Sequence, residues 1–261
     1  MPPARVALYF AAFACIAIAL RAVVREPPPL WVALSLALVF VATFTSGVLV
    51  LGLRMFVDAV VRGPRGARGV ALTFDDGPHP VHTRAVLDIL EARGVKATFF
   101  VIGEKVSQHP DLTKEIVERG HRLGVHSYTH DRLFSLRGAA RARAEITRTL
   151  DAIEAATGER PQWFRPPVGH TNPGIARAVR ELDVSVVGWS ASARDGLASA
   201  KPKDVVRRIK PHLRDGAIVL LHDAAERGER EPAAVRALPE LLDAIEERQL
   251  AVIDLGDWIE D

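Results

Sequence analysis

The chain has 261 residues, enough for one sizeable α/β domain with an appendage, and its single cysteine, Cys15, excludes a disulfide framework and a cysteine-rich zinc site. Residues 1–60 carry four basic and two acidic side chains, so residues 61–261 carry equal numbers of each. This neutral balance gives no support to binding of nucleic acid, and all nine histidines follow Gly77.

Two apolar runs near the amino terminus are each long enough to span a bilayer. Residues 6–24 contain one charge, Arg21, and residues 30–53 contain none, whereas about 20 apolar residues cross the hydrocarbon core. The prolines at 27–29 interrupt the helical pattern between the runs. The sequence therefore predicts a multi-pass membrane anchor over residues 1–60, with a secretory signal in the first run as the alternative.

Residues 61–68 are predicted to be a basic, flexible linker that can touch anionic headgroups. Arg5 precedes the first apolar run and the linker arginines follow the second, against Arg21 and Arg25 near the turn. The positive-inside rule therefore favours the cytoplasmic face of the cell membrane for the domain that follows.

From residue 69 onward, short β-rich runs alternate with amphipathic helical patterns. The predicted strands cover residues 69–74, 96–102, 122–125, 162–164, 184–187, 217–221 and 251–253. The clearest helices cover residues 139–156 and 233–247. This alternation predicts an α/β domain over residues 69–261, a distorted (β/α) barrel of about seven parallel strands that follows the pair of transmembrane helices.

Two motifs that follow predicted strands supply candidate metal ligands. Asp75 and Asp76 lie in TFDDGP, and adjacent carboxylates raise each other's pKa unless a cation or a proton separates their roles. His126 and His130 lie in HSYTH, and histidines four residues apart can converge on one metal ion. With Asp76 they would leave coordination positions open, as a catalytic site needs. An Asp-rich turn and a surface histidine pair are the alternatives.

Three further motifs also follow predicted strands. Arg165 lies in FRPPVG, where prolines stiffen the loop, and a fixed guanidinium can orient a carboxylate. Trp189, in WSASARD, predicts either substrate contact or packing beneath the barrel rim. His222, in LLHD, ends the strand that begins at residue 217. Because parallel α/β barrels carry their chemistry at the carboxyl ends of strands, the five motifs predict one active site.

In this order, TFDDGP, HSYTH, RPPVG, WSASARD and LLHD resemble the polysaccharide deacetylase family, also called the NodB-homology or carbohydrate esterase family 4 domain, over residues 69–257. The resemblance implies a hydrolase that removes N-acetyl groups from an amino-sugar glycan or glycan precursor, using a divalent metal ion, zinc before cobalt or nickel. The implied roles are Asp75 as base, His222 as acid, Arg165 as partner of a catalytic carboxylate, Asp195 as the residue that tunes the pKa of the acid, Asp76, His126 and His130 as metal ligands, and Leu220 as lining of the acyl pocket. The candidate substrate-binding residues are Leu220, Trp189, Pro166 and Val168.

The chain departs from the family pattern at Val168, where an aromatic residue is common, and at Gly196, where tryptophan is common. A less aromatic cleft weakens the case for a long polymer, and the expected partners are an N-acetylated carbohydrate or a lipid-linked sugar, together with the lipid bilayer. The family's usual cell-wall and secreted substrates would place the domain outside the cell. The other functions left open are a deacylase or deformylase of a polyprenyl-linked sugar, an inactive sugar-binding membrane module, and a non-haem iron oxygenase.

Overall fold

The computed structural model describes residues 1–259, so the end of the predicted domain 69–261 lies outside the described residues. The amino-terminal region forms helices α1 (Pro3–Val24) and α2 (Leu30–Leu49), followed by a 3-10 turn (Leu51–Leu53). The prolines at 27–29 end the helical path between them, because proline lacks an amide hydrogen. The two helices pack against each other, with Cys15 Sγ 3.7 Å from the carbonyl oxygen of Leu36.

The surfaces of α1 and α2 are mostly exposed and apolar. Among the residues described, α1 contains no buried residue and α2 contains only Gly47. Phe10 and Leu38, for example, are 71% and 70% exposed. Both helices are long and apolar enough to cross a membrane, whereas a core helix of a soluble protein would be mostly buried. They could serve as a membrane anchor or as a signal.

The segment that follows α2 differs from the flexible connector expected from the sequence. The helix ends at Leu49, before the predicted residue 53, because the next residues turn into the core of the domain. Four apolar side chains of this segment are buried: Leu51, Met55, Val57 and Ala59. Val60 pairs with Val187 and Arg62 with Ala217, so residues 60–62 bridge two strands of the sheet. Packing against the domain therefore begins before residue 61.

The strands form one parallel sheet that curls into a half-barrel. Residues 1–259 contain β1 (Val70–Asp75), β2 (Thr98–Val101), β3 (Arg122–Val125), β4 (Trp163–Phe164), β5 (Ser185–Val186), β6 (Ala191–Ser192), β7 (Ala217–His222) and β8 (Val252–Ile253). Seven of them follow the order β5-β4-β3-β2-β1-β7-β6, and β8 pairs with the first residues of β1. All seven predicted strands are present, and β6 was not predicted.

Helices surround this sheet, most of them on its outer face, whereas the last packs against the interior cluster with Ala71 and Ile218. They are α3 (His82–Ala92), α4 (Gly103–Gln108), α5 (Pro110–Glu118), α6 (Gly138–Thr157), α7 (Pro173–Glu181), α8 (Pro202–Ile209), α9 (Ala233–Glu247) and α10 (Gly256–Ile259). The two predicted helices correspond to α6 and α9, and the apolar stripe of each joins the main core. The expected (β/α) architecture is therefore confirmed.

The alternation of side chains along β1 and β7 sets the position of the site. The even-numbered residues of β1 pack in the core beneath the helices, whereas Thr73 and Asp75 face the barrel interior. On β7 the odd-numbered residues join the same core, and Leu220 and His222 line the interior cleft. The two strands pair in register, Asp75 beside His222. The carboxyl ends of these two neighbouring strands therefore present two titratable side chains to one space.

Candidate active site

Asp76, His126 and His130 converge just beyond the carboxyl ends of β1 and β3. Asp76 Oδ1 lies 3.3 Å from His130 Nε2 and 3.5 Å from His126 Nε2. One donor atom from each residue lies within 4.8 Å of the other two, and all three side chains are buried. The structure thus brings together the three metal ligands expected from the sequence, in an arrangement that could hold one metal ion.

The donor chemistry of these three residues fits a divalent cation. His126 Nδ1 donates a hydrogen bond to the backbone carbonyl of Arg165 at 2.8 Å, so Nε2 keeps its lone pair. Burial, and next the neighbouring His130, lower the pKa of His126 to about 3, so the ring is neutral. Asp76 Oδ1 is buried and accepts no hydrogen bond within residues 1–259. Such an oxygen is costly to bury unless a cation lies beside it.

Arg165 is fully buried and fixes the neighbouring carboxylate, Asp75. Arg165 Nη1 donates to Asp75 Oδ1 at 2.7 Å and to Thr73 Oγ1 at 2.9 Å, and Nη2 donates to the carbonyl of Gly188 at 2.9 Å. Burial raises the pKa of Asp75, and the charge of Arg165 opposes this rise without cancelling it. Asp75 Oδ2 lies on the side of the metal donors, 3.7 Å from His126 Nε2. A carboxylate held in this way is suited to accept a proton.

Asp195 holds His222 through two hydrogen bonds. Asp195 accepts hydrogen bonds from the backbone amide of His222 at 2.7 Å and from its Nδ1 at 3.1 Å. The other ring nitrogen, Nε2, lies 3.9 Å from Asp76 Oδ2. Burial by itself would lower the pKa of His222, but Asp195, Asp76 and Asp75 together raise it to about 10. The imidazole is therefore protonated at neutral pH and can donate a proton.

A cleft of about 770 Å³ opens over these groups. It is lined by nine of the eleven predicted site residues: Asp75, Asp76, His126, His130, Pro166, Val168, Trp189, Leu220 and His222. The other two, Arg165 and Asp195, lie fully buried behind it. Trp189 lines the cleft and also packs against Gly169, where a Cβ atom would lie 2.6 Å from the indole, so it both faces the cleft and supports the rim.

Glu145, on α6, is a site-supporting residue that the sequence analysis missed. Its Oε2 accepts hydrogen bonds from the amides of Tyr128 and Thr129 at 3.0 and 2.9 Å, which fixes the turn between His126 and His130. His130 has a φ of +49°, in the left-handed region that costs about 1–3 kcal/mol outside glycine. The sequence signal was present, since Glu145 is the one charge among the mostly apolar buried residues of α6.

Lys105, on α4, is a second supporting residue that was not predicted. Its Nζ donates to the backbone carbonyls of Asp76 at 2.7 Å and Ala225 at 2.5 Å. It therefore ties the loop after β1 to the loop after β7. Burial lowers the pKa of Lys105, and the charge of Asp76 opposes this. Nothing in the local sequence around Lys105 distinguishes it from a surface lysine.

Comparison with known sequences identifies similar proteins. A family model described as polysaccharide deacetylase matches residues 62–187. The chain is 35% identical to a chitooligosaccharide deacetylase of Bradyrhizobium sp. over 192 residues, covering 70% of this chain and 87% of the relative. It is 38% identical to the peptidoglycan-N-acetylglucosamine deacetylase PgdA of Listeria monocytogenes over 154 residues, 59% of this chain. That match spans about a third, 32%, of the length of the Listeria protein.

Solved structures show the same fold. The Bc1960 peptidoglycan N-acetylglucosamine deacetylase superposes with a TM-score of 0.71 at 27% identity, covering 77% of this chain and 92% of that one. BA3943 of Bacillus anthracis, described as a CE4 family pseudoenzyme, gives a TM-score of 0.69 at 26% identity, covering 79% and 70%. Proteins with this fold therefore include both deacetylases and a pseudoenzyme.

Glu145→Ala should weaken the turn that carries the histidines. The change leaves two backbone amides without their acceptor, at about 1–3 kcal/mol for each buried group, so we expect a loss of about 2 kcal/mol or more in unfolding free energy. Zinc binding, measured by calorimetry, should weaken in parallel. The control is Glu154→Ala, on the same helix in an exposed pair with Arg160. Equal stability and zinc affinity in the two variants would show that the turn does not depend on Glu145.

Asp195→Asn should lower the pKa of His222. The substitution keeps the shape of the side chain but removes the negative charge that stabilises the imidazolium, so the ring loses its proton at a lower pH than in the wild type. An NMR titration of the metal-free proteins measures this directly. Asp243→Asn, an exposed change on α9, should leave the His222 titration in place. A His222 pKa unchanged by Asp195→Asn would contradict the assignment of Asp195.

Proposed function

The chain belongs to the polysaccharide deacetylase family, and from this premise we propose that it is a metal-dependent hydrolase that removes N-acetyl groups from an amino sugar of a glycan or glycan precursor. The observation that carries the proposal is the register of β1 and β7, which sets Asp75 beside His222. These two groups flank the cluster of metal donors. Because the family fold also includes a pseudoenzyme, the proposal depends on this set of residues rather than on fold alone.

Asp75 and His222 supply the base and the acid that hydrolysis of the amide needs. A divalent ion held by Asp76, His126 and His130 would polarise the amide carbonyl and lower the pKa of a water toward about 7. Asp75 Oδ2 takes the proton of the attacking water, because Arg165 already occupies Oδ1. His222 gives its proton to the amide nitrogen as the carbon–nitrogen bond breaks. The products are acetate and the free amino sugar.

The cleft walls are proposed to hold the sugar and its acyl group. Leu220 is buried beside His222 and offers an apolar surface to the acyl methyl, while Trp189, Pro166 and Val168 contact the sugar. The family often has tryptophan at the position of Gly196, where any Cβ atom would lie 3.0 Å from His222 Nε2. The open wall at Gly196 favours a short or substituted sugar over a long polymer.

Removing the metal or its ligands should abolish acetate release. We expect the zinc-loaded protein to release acetate from N-acetylated chitooligosaccharides, and a chelator to stop the reaction reversibly. His126→Ala and His130→Ala should lose zinc and activity with the fold nearly intact. Asp75→Asn and His222→Ala should keep zinc and lower turnover by about 10²–10⁴-fold each, the usual contribution of general acids and bases.

The matched control is His212→Ala, an exposed histidine outside the cleft, which should keep both zinc and turnover. Zinc loss in Asp75→Asn with zinc retained in Asp76→Asn would mean that the two carboxylates exchange roles. Sugar binding by the wild type without acetate release would identify an inactive module, and oxygen consumption would identify an oxygenase. Release of formate or a longer acid instead of acetate would support a deformylase or deacylase.

We also propose that α1 and α2 cross the membrane as a hairpin and that the catalytic domain lies on the cytoplasmic face. Arg5, near the start of α1, donates to Asp58 Oδ1 at 3.0 Å and to the carbonyls of Arg54 and Met55. The start of α1 and the end of α2 therefore lie at the same end of the hairpin, against the domain. The arginines at this end support the cytoplasmic face by the positive-inside rule.

A reporter fused after Asp261 tests the membrane side. A cytoplasmic domain should give fluorescence from a cytoplasm-only reporter and no alkaline phosphatase activity in intact cells. The matched control is the same fusion without residues 1–29, which removes one span and should move the reporter to the other side. Phosphatase activity in the full-length fusion would place the domain outside and restore an extracellular polymer as the substrate.

A further inference from the structure

The mouth of the cleft carries a group of arginines that the proposed chemistry does not use. This arginine rim consists of Arg132, Arg194, Arg227 and Arg230. Resting on the function proposed above, we propose that the rim binds a phosphate that links the N-acylated amino sugar to a membrane lipid. The substrate is then a lipid-phosphate-linked sugar rather than a neutral polymer.

The charge of the rim is largely uncompensated. Glu226 is the carboxylate that lines the mouth, and its Oε2 lies 2.8 Å from Arg132 Nε, whereas its Oε1 is 3.9 Å from Arg227 Nε. Arg230 donates to the carbonyl of Gly196 instead of to an acid. The guanidinium of Arg194 has no carboxylate partner within the described part of the chain, and its backbone φ is +54°.

Guanidinium groups around one opening make its electrostatic potential positive and attract an anion, although Arg132 and Arg227 are themselves well exposed to solvent. Arginine is the side chain best suited to this role, because its planar fork matches two phosphate oxygens at once. Of the carboxylates on the cleft floor, Asp75 pairs with Arg165, and Asp76 belongs to the proposed metal site, so neither neutralises the rim. The anion that suits the rim therefore comes from the substrate.

The end of the apolar hairpin is attached to the same loops that frame the cleft. The amide of Thr171 donates to the carbonyl of Val48, near the end of α2, at 3.0 Å. Thr171 follows the turn Pro167–Gly169, whose Val168 lines the cleft. If α2 crosses the bilayer, as proposed above, the cleft opens within reach of the lipid headgroups.

Exposed apolar side chains of the catalytic domain lie in the cleft wall and in the chain segment after Arg132. Beside Val81, which lies elsewhere, they are Leu133, Leu136, Val168 and Leu197, which are 53%, 74%, 45% and 54% exposed. Val168 and Leu197 line the cleft, and Leu133 and Leu136 follow Arg132 in the chain. Apolar side chains beside arginines match a phosphate whose next group is a hydrocarbon chain. A neutral, solvated oligosaccharide would need neither the arginines nor the apolar side chains.

The test compares three substrates of the full-length, zinc-loaded protein in lipid nanodiscs. They are N-acetylglucosamine joined by phosphate to a polyprenol, soluble N-acetylglucosamine 1-phosphate, and neutral chitotriose. The variant is Arg194→Gln with Arg227→Gln, and the control is Arg177→Gln with Arg207→Gln, two exposed arginines on α7 and α8. The rate of acetate release gives kcat/KM for each combination of protein and substrate.

We expect the ratio of kcat/KM for the phosphorylated substrates to that for chitotriose to fall about tenfold or more in the rim variant, and to stay constant in the control. The ratio should also fall as salt is raised, since exposed charges are screened over about 8 Å at physiological ionic strength. The lipid-linked substrate should exceed the soluble phosphate. An unchanged ratio in the rim variant would contradict binding of phosphate by the rim. Equal rates for the lipid-linked and soluble phosphates would contradict a membrane lipid as the carrier of that phosphate.

Failure of the proposed function gives a different result. If the wild type releases no acetate from any of the three substrates, the deacetylase function fails. Calorimetry with N-acetylglucosamine 1-phosphate still tests the rim, because binding needs no turnover. A Kd about tenfold weaker in the rim variant than in the control then supports the phosphate site, and equal Kd values overturn it.

Discussion

The buried guanidinium of Arg165 is the interaction on which the site depends. It has no solvent exposure, lies over the ring of Phe100 at 4.1 Å, and forms an ion pair with Asp75 at 2.7 Å. Removing one partner of a buried pair costs about 3–5 kcal/mol, because it leaves an uncompensated charge. The backbone carbonyl of Arg165 also accepts the hydrogen bond that orients His126. One residue therefore fixes both the proposed base and a metal donor.

The strand pattern that builds the core also builds the site. On β1 and β7 one set of alternate side chains packs beneath the helices, and the other set faces the barrel interior. Parallel pairing in register then brings Asp75 and His222 together from positions far apart in the chain. A slip of one residue in either strand would turn its polar side chain into the apolar core, so the burial of that core also protects the alignment of acid and base.

Local pattern predicted much of this architecture and much of the cleft. The β-rich runs correspond to seven strands, and the motifs at their ends supply nine of the residues that line the cleft. The rest depends on tertiary contacts. Strand β6 has two residues and exists because it pairs with β7. Residues 51–62 are largely apolar but continue the run of the second predicted span, so local pattern does not show that they pack against the domain. Lys105 acts through distant carbonyls that local sequence cannot indicate. Glu145 alone carried a signal, a charge on an apolar stripe.

The cleft carries negative charge at its floor and positive charge at its mouth, and the two groups of side chains must stay apart. Carboxylates at its floor suit a cation, whereas arginines at its mouth suit an anion, and a guanidinium that reached Asp76 would compete with the metal ion. Glu226 lies at the boundary: its Oε2 is 2.8 Å from Arg132 Nε and 3.5 Å from His130 Nδ1. It holds an arginine of the rim on one side and faces a metal donor on the other. This arrangement keeps Arg132 at the mouth and leaves Asp76 Oδ1 free of a protein hydrogen-bond donor within residues 1–259, as the proposed binding of a divalent cation at the floor requires.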